Sequence, residues 1–332
     1  MAWGSRPWYW LQPRAWGGPH NRAMAETDPN RPWRSVLDQA DQLGESPFWN
    51  PQERRLYWAD IAGRLLRRAD ADGGHPESWP MPQEPGCFAP ARGGGWVIAL
   101  RDGFYRAREW GGELSLLHRS GHDPATTRFN DGKADPLGRF WAGTLFEPKT
   151  RPGGELFSLD CRAGAPQVQR MAEGVTTANG LAWSPDARTV YWADTQQHLV
   201  RAWDWDAQAN RMSRERVFHR FEARPPGWKP GDPGYGGRPD GAAVDAEGHY
   251  WCAMFEGGRV VRLSPSGEIV DEIATPMLCP TMPCFGGDDL RTLFVTSAGK
   301  RGDEEKAARP RTGHVVALRV AVPGLPVNFF ID

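Results

Sequence analysis

The chain is predicted to be all-β, a six-bladed β-propeller with four-stranded antiparallel blades, and three observations predict it. A strand-like phrase built on an aromatic pair or its equivalent recurs six times, as Tyr57-Trp58-Ala59, Trp96-Val97-Ile98, Phe140-Trp141-Ala142, Tyr191-Trp192-Ala193, Tyr250-Trp251-Cys252 and Leu293-Phe294-Val295. About 11 to 13 residues before the centre of each phrase stands a residue in an equivalent position: Glu45, Gly86, Asn130, Asn179, Asp240 and Thr281. Gly- and Pro-rich turns separate the runs and no helical periodicity interrupts them, the pattern expected of blades repeated around an axis.

The register rests on a second landmark. Six residues after Glu45, Asn130, Asn179 and Asp240 come Pro51, Pro136, Pro185 and Ala246, each at a turn such as Pro136-Leu137-Gly138-Arg139 or Ser184-Pro185-Asp186-Ala187. Pro, Gly and Asp supply the dihedrals and local hydrogen bonds that reverse turns need. Gly86 and Thr281 fit more loosely, reaching Arg92 and Gly287 inside Gly-rich stretches. A short apolar run lies between landmark and turn, and three further strands follow. In the fifth repeat the four strands are 240–244, 249–255, 259–263 and 268–273. Each unit is a four-stranded meander, and the period is roughly 40 to 60 residues.

In a propeller the first strand of each blade lines the central channel, so residues at one equivalent position form a ring at one depth. Glu45, Asn130, Asn179 and Asp240 place carboxylate and amide oxygens on that ring, a donor set suited to Ca²⁺, Mg²⁺ or Mn²⁺ and open also to Zn²⁺. Taken singly, Asn179-Gly180 and Asp240-Gly241 read as turn formers. Together, at one register of a repeat that is otherwise apolar, they read as a site. Gly86 and Thr281 are expected to supply the space and the wall of the pocket.

Composition narrows the alternatives. With 332 residues, a formal net charge of −1 and 39% hydrophobic residues, the chain can bury a large core and has no polybasic character, so nucleic acid is not an expected partner. The 17 tryptophans suit the wedges between blades. Cys87, Cys161, Cys252, Cys279 and Cys284 are odd in number and unpaired in spacing, which points to reduced, buried thiols. The eight histidines form no His-x-x-x-His or paired-Cys motif, so a His/Cys zinc site has no support. A monomer in the cytoplasm is expected.

Residues 1–32 carry Trp3, Trp8, Trp10 and Trp16 among Pro, Gly and Arg without strand alternation. They are expected to be a poorly ordered extension, with translation starting at Met24, and the propeller to occupy residues 33–332. No apolar stretch of signal or membrane-span length is present in the sequence. The strand-like Trp33-Arg34-Ser35-Val36-Leu37-Asp38 precedes the first landmark, while the last repeat offers three strands ending near Val320. The N-terminal strand is therefore expected to complete the sixth blade and close the ring, since an open ring would leave two bare sheet edges.

Four phrases carry a family resemblance. Leu43-Gly44-Glu45-Ser46-Pro47-Phe48-Trp49 is the first. The second is Arg128-Phe129-Asn130-Asp131-Gly132-Lys133 with Asp135, Gly138 and Ala142-Gly143-Thr144. Ala178-Asn179-Gly180-Leu181-Ala182-Trp183-Ser184-Pro185-Asp186 and Pro239-Asp240-Gly241-Ala242-Ala243-Val244-Asp245 complete the set. In this order they resemble the senescence-marker-protein/regucalcin/gluconolactonase family, from about Trp33 to the end. The resemblance implies a six-bladed propeller that hydrolyses sugar-acid lactones with one divalent cation in the channel. It implies metal ligands at Glu45, Asn179 and Asp240 and substrate contacts at Arg128 and Asn130. Alternation along an extended segment would turn Arg128 to the same side as Asn130. After Thr144 the chain departs from the family's acidic loop and reads Leu145-Phe146-Glu147-Pro148, where Glu147 is expected to take a substrate hydroxyl.

Lactone hydrolysis needs a polarised carbonyl, an activated water and a proton for the departing ring oxygen, and Asp240 is the expected general base. Lys133 is expected to act electrostatically or to be a solvated or strand-pairing residue. Two other readings stay open on the sequence: a calcium-dependent phosphotriesterase on a similar ring, and a propeller that binds calcium without catalysis.

Overall fold

A computed structural model describes residues 33–332, and the expectations for residues 1–32, including the start at Met24, lie outside the described residues. Six antiparallel four-stranded sheets make up the molecule. Their inner strands are Gly44–Asn50, Pro85–Pro90, Thr127–Ala134, Ala178–Trp183, Arg238–Val244 and Pro280–Gly286 in blades 1 to 6. Every predicted landmark falls in one of these strands, and every aromatic phrase falls in the strand that follows. One short helix, Asp303–Ala308, stands among the described residues.

Ring closure is as expected but shorter. Arg34–Ser35 pairs antiparallel with Val316–Arg319 as the outer strand of blade 6, Arg34 opposite Ala317 and Ser35 opposite Val316. Beyond the paired residues the chain stays docked, with the Val36 amide donating to Val315 O at 2.8 Å. No sheet edge is thereby left open between the ends of the ring.

Tryptophan fills the wedges between blades. Trp141 of blade 3 meets Trp183 and Trp205 of blade 4 edge-on, at centroid separations of 5.5 and 5.8 Å. Trp79 of blade 1 meets Trp96 of blade 2 at 6.3 Å, and Trp110 meets both. Such geometry adds dispersion and quadrupole attraction to the burial of large rings. The blades share a second device beneath the inner strands. Asp135 and Asp245, both with no solvent exposure, accept from the indoles of Trp141 and Trp251 at 2.9 Å, and each faces an arginine, Arg139 or Arg262. All five cysteines are free and buried, and burial pushes the Cys161 and Cys279 thiols up to about 11 and about 12.

One feature of the inner strands has no counterpart in the expectations. In each blade the pairing with the second strand slips by one residue at or beside the landmark: Glu45 faces Ala59 but Phe48 faces Tyr57, and Phe129 faces Thr144 but Gly132 faces Ala142. A bulge of this kind bends the strand and re-aims side chains. Ser46 and Gly180, which follow Glu45 and Asn179, take positive φ of 50° and 61°. At Gly180 a Cβ would lie 2.2 Å from the Tyr250 hydroxyl oxygen, so the position needs glycine for space as well as for conformation.

The C-terminal residues cross the far end of the channel as a strap. Leu325 N donates to Val244 O, Phe330 N to Pro90 O and Ile331 N to Gly138 O, at 3.1, 2.8 and 2.9 Å, linking blades 5, 2 and 3. A largely apolar cavity of about 290 Å³ lies between this strap and the ends of the inner strands.

Candidate active site

At the opposite end of the channel the bulged segments gather their polar side chains. Glu45 and Asp240 are each 5% exposed and Asn179 2%. Asp240 is within hydrogen-bonding reach of the Glu45 carboxyl, and its Oδ1 finds no protein donor. Asn179 is fixed from both sides: its Nδ2 donates to Thr195 Oγ1 at 2.8 Å, and its Oδ1 accepts from Asn130 Nδ2 at 2.9 Å. Two of the expected metal ligands, Glu45 and Asp240, are thus brought together, and the Asn179 amide oxygen is oriented on the inner strand of blade 4, which packs against that of Asp240.

Burial, and then the neighbouring charges of Asp240 and Asp131, hold the Glu45 carboxyl well above its usual range. Burial and then Asp131 push Asp240 up to about 8, against the opposing pull of Arg238. Two acids crowded into low dielectric require either protons or a cation between them. Among the described residues no three His, Cys, Asp or Glu side chains group into a metal cluster, so a cation held by Glu45 and Asp240 would draw a further donor from another type of group, such as the Asn179 amide. An all-oxygen set with an unpartnered carboxylate oxygen fits a hard divalent cation.

Arg128 and Asn130 are also adjacent. Arg128 Nη1 donates to Asn130 Oδ1 at 2.8 Å and to Phe129 O at 2.9 Å, while Asn130 Nδ2 serves Ala178 O as well as Asn179. Asn130 therefore orients both the arginine and the candidate ligand, and keeps only acceptor capacity on Oδ1 for a substrate hydroxyl. Glu147 sits on the rim, held by Arg101 through two contacts of 2.9 and 3.1 Å and lying 3.7 Å from Arg128 Nε.

Two landmarks do something other than expected. Gly86 offers no space: a Cβ there would stand 2.4 Å from Phe129 O, so the residue lets the backbones of blades 2 and 3 pass closely. Thr281, fully buried, bonds Gly44 O and Thr296 Oγ1, which ties blade 6 to blade 1. Lys133 pairs with Trp141 in its sheet, its ammonium donates to Ala242 O of blade 5, and it feels the charges of Asp131 and Glu45.

Sequence reasoning passed over Asp131. Alternation from Asn130 would turn it away, yet the bulge lets both residues face the channel. Its Oδ2 accepts from Leu181 N at 2.8 Å and its Oδ1 has no partner. The signal was present in the Asn130-Asp131 pair, two polar residues side by side in an inner strand.

The fold is a six-bladed β-propeller with acid and amide side chains on its inner strands. Residues 43–299 match the model of the SMP-30/gluconolactonase/LRE-like region. The chain is 44% identical over 304 residues to the 6-deoxy-6-sulfogluconolactonase of Pseudomonas putida, covering 91% of this chain and 99% of that one. It is 34% identical to chicken (Gallus gallus) regucalcin, with coverages of 86% and 93%, and 33% identical to a pentonolactonase of Haloferax volcanii, with coverages of 88% and 95%. A crystal structure of a calcium-binding protein, regucalcin, from Agrobacterium tumefaciens superposes with a TM-score of 0.81 at 26% identity, covering 90% of this chain and 96% of that one. The protein belongs to the SMP-30/gluconolactonase/LRE-like family, and the expected class, a hydrolase of carboxylic ester bonds, stands with it. Among the described residues no helix is long and apolar enough to cross a membrane.

Proposed function

We propose that the protein hydrolyses a sugar-acid lactone to the free aldonic acid, with one divalent cation, Ca²⁺, Mg²⁺, Mn²⁺ or Zn²⁺, held by Glu45, Asn179 and Asp240. The observation that carries this reading is the pair of buried carboxylates with an unpartnered Asp240 Oδ1 beside a braced amide oxygen. The calcium-binding description of the regucalcin structure supports the cation, and the lactonase names of the relatives support the substrate class. The relative named for a 6-sulfo gluconolactone favours a hexonic acid lactone.

Bound there, the cation would supply Lewis acidity to the ester carbonyl and lower the pKa of a water. The remaining chemistry falls to the chain. Asp240 takes a proton from the attacking water, its carboxylate serving both the cation site and the base role. Water oxygen bonds to the acyl carbon, the bond from that carbon to the ring oxygen breaks, and the proton passes to the departing ring oxygen, which becomes a hydroxyl of the product. Arg128 and Asn130 hold sugar hydroxyls, and their mutual hydrogen bond fixes the geometry before substrate arrives. Glu147 accepts a further hydroxyl at the rim.

A pH-indicator assay on glucono-, galactono-, xylono- and arabinono-lactones, run with each of the four cations and beside an organophosphate ester, tests the reading. Turnover of at least one lactone above its uncatalysed rate is expected. Turnover of the phosphate ester alone would assign the site to phosphotriester hydrolysis, and cation binding without turnover would make the protein a binding propeller.

A further inference from the structure

We propose that the cavity under the C-terminal strap is a second binding site, separate from the acid ring, for a small apolar carboxylate whose charged end meets the Lys133 ammonium. Such a site is independent of the lactonase reading.

The cavity is built from the same six inner strands as the acid ring, further along each. Its wall includes Ser46, Gly132, Ala182 and Ala243, which follow Glu45, Asn130, Asn179 and Asp240 by one to three residues, and none of those four candidate residues lines it. The two sites therefore lie at different depths. A volume of about 290 Å³ is the space of about ten waters at roughly 30 Å³ each, so a molecule of about ten non-hydrogen atoms fills it. Phe88, Trp183, Met282, Phe285 and Leu325 offer that molecule apolar contact. A sugar suits this wall poorly, because hydroxyls buried there without partners cost free energy.

One charged group faces the space. Lys133 lines the cavity, and its ammonium reaches Ala242 O in blade 5. That is one bond for three donors, and no carboxylate forms an ion pair with it among the described residues. Asp131 and Glu45 act on it through space only. Burial disfavours the charged ammonium, and a carboxylate on the cavity side would offset that cost with charge-assisted hydrogen bonds. A neutral ligand would not.

The strap leaves a way in. Leu325 and Phe330 are anchored through their amides to Val244 O and Pro90 O, but residues 326–329 between them make no backbone hydrogen bond among the described residues. Asn328 Nδ2 donates to Ala134 O at 3.2 Å and ties the middle of this span to blade 3. Local parting of the span breaks few bonds.

Isothermal titration calorimetry of the full chain with octanoate, octanol and octylammonium tests the proposal, since the three probes share an alkyl chain and differ in head group. Octanoate is expected to bind once per chain, about tenfold or more tighter than octanol, the difference a charge-assisted hydrogen bond supplies. Octylammonium should bind more weakly than either. Lys133→Met should weaken octanoate about tenfold, to the affinity of octanol. Val327→Trp, which fills the cavity from the strap and leaves the blades unchanged, should abolish binding of both. Equal affinities of the native chain for octanoate and octanol would overturn the proposal, and so would absence of octanoate binding or octanoate binding that survives Val327→Trp. The head-group series is read on the native chain, so the test stands even where Lys133→Met fails to fold. Lactone turnover enters none of these readings.

Discussion

Replacing Asp240 with asparagine is expected to abolish lactone turnover while the propeller stays folded. The substitution keeps the size of the side chain and removes a proton acceptor whose Oδ1 has no competing donor. It also removes one of the two carboxylates that would neutralise a divalent cation. Loss of a general base together with a charged ligand should lower kcat by about 10³-fold or more. Stability should not follow activity. In the cation-free protein burial and their mutual charge hold Asp240 and Glu45 toward their protonated, neutral forms, so replacing one with a neutral amide removes little stability. Calorimetry and rates on the same sample separate the two effects: a melting temperature within a few degrees of the native one beside a lost rate is the expected pair. Glu45→Gln should behave alike. Activity within tenfold of native in Asp240→Asn would move the proton acceptor elsewhere, and Asp131, with its own unpartnered Oδ1, would be the next residue to replace.

A chain beginning at Gln39 should melt far below one beginning at Trp33. The six intervening residues contribute the Arg34–Ser35 strand of blade 6. They also contribute the Val36 amide bond to Val315 and the buried Val36 side chain, which packs with Trp49 and Phe294. Trp33 Nε1 donates to Ala274 O at 2.8 Å, and Arg311 Nη1 donates to Trp33 O at 2.7 Å, so blades 5 and 6 are both tied to this segment. Burying the valine contributes about 1.5–3 kcal/mol and each hydrogen bond about 1 kcal/mol. A total on the order of 5 kcal/mol corresponds to a drop on the order of 10 °C for a chain of this size. The shorter chain also exposes the edge of Val316–Arg319, so aggregation on heating should begin earlier. Equal melting temperatures for the two chains would show that closure does not depend on this strand.

The fold was legible because a propeller repeats its signals: six aromatic phrases, each 11 to 13 residues after its landmark, leave little freedom in blade number or strand order. The ring of Glu45, Asn179 and Asp240 was legible for the same reason, since a shared register implies a shared depth. What escaped was whatever breaks the repeat or lies outside it. A bulge is invisible to alternation, and Asp131, beside Asn130 at the bulge, was passed over. Gly86 and Thr281 were read by what they lack as ligands, whereas the close approach of Phe129 O to one and the hydrogen bonds of the other depend on neighbouring blades. Arg101, which holds Glu147, comes from a connection between strands, where sequence distance carries no register. The C-terminal strap has neither periodicity nor motif, and only its backbone bonds to blades 2, 3 and 5 reveal it.

The central claim is that two buried carboxylates and an amide serve lactone hydrolysis through a divalent cation. It is tested most directly by the hydrolysis rate of a chelator-stripped sample, corrected for uncatalysed opening, before and after single cations are returned. The account predicts that the stripped protein falls to background and that at least one of Ca²⁺, Mg²⁺, Mn²⁺ or Zn²⁺ restores the rate in proportion to occupancy. Full turnover by protein shown to be metal-free would contradict it.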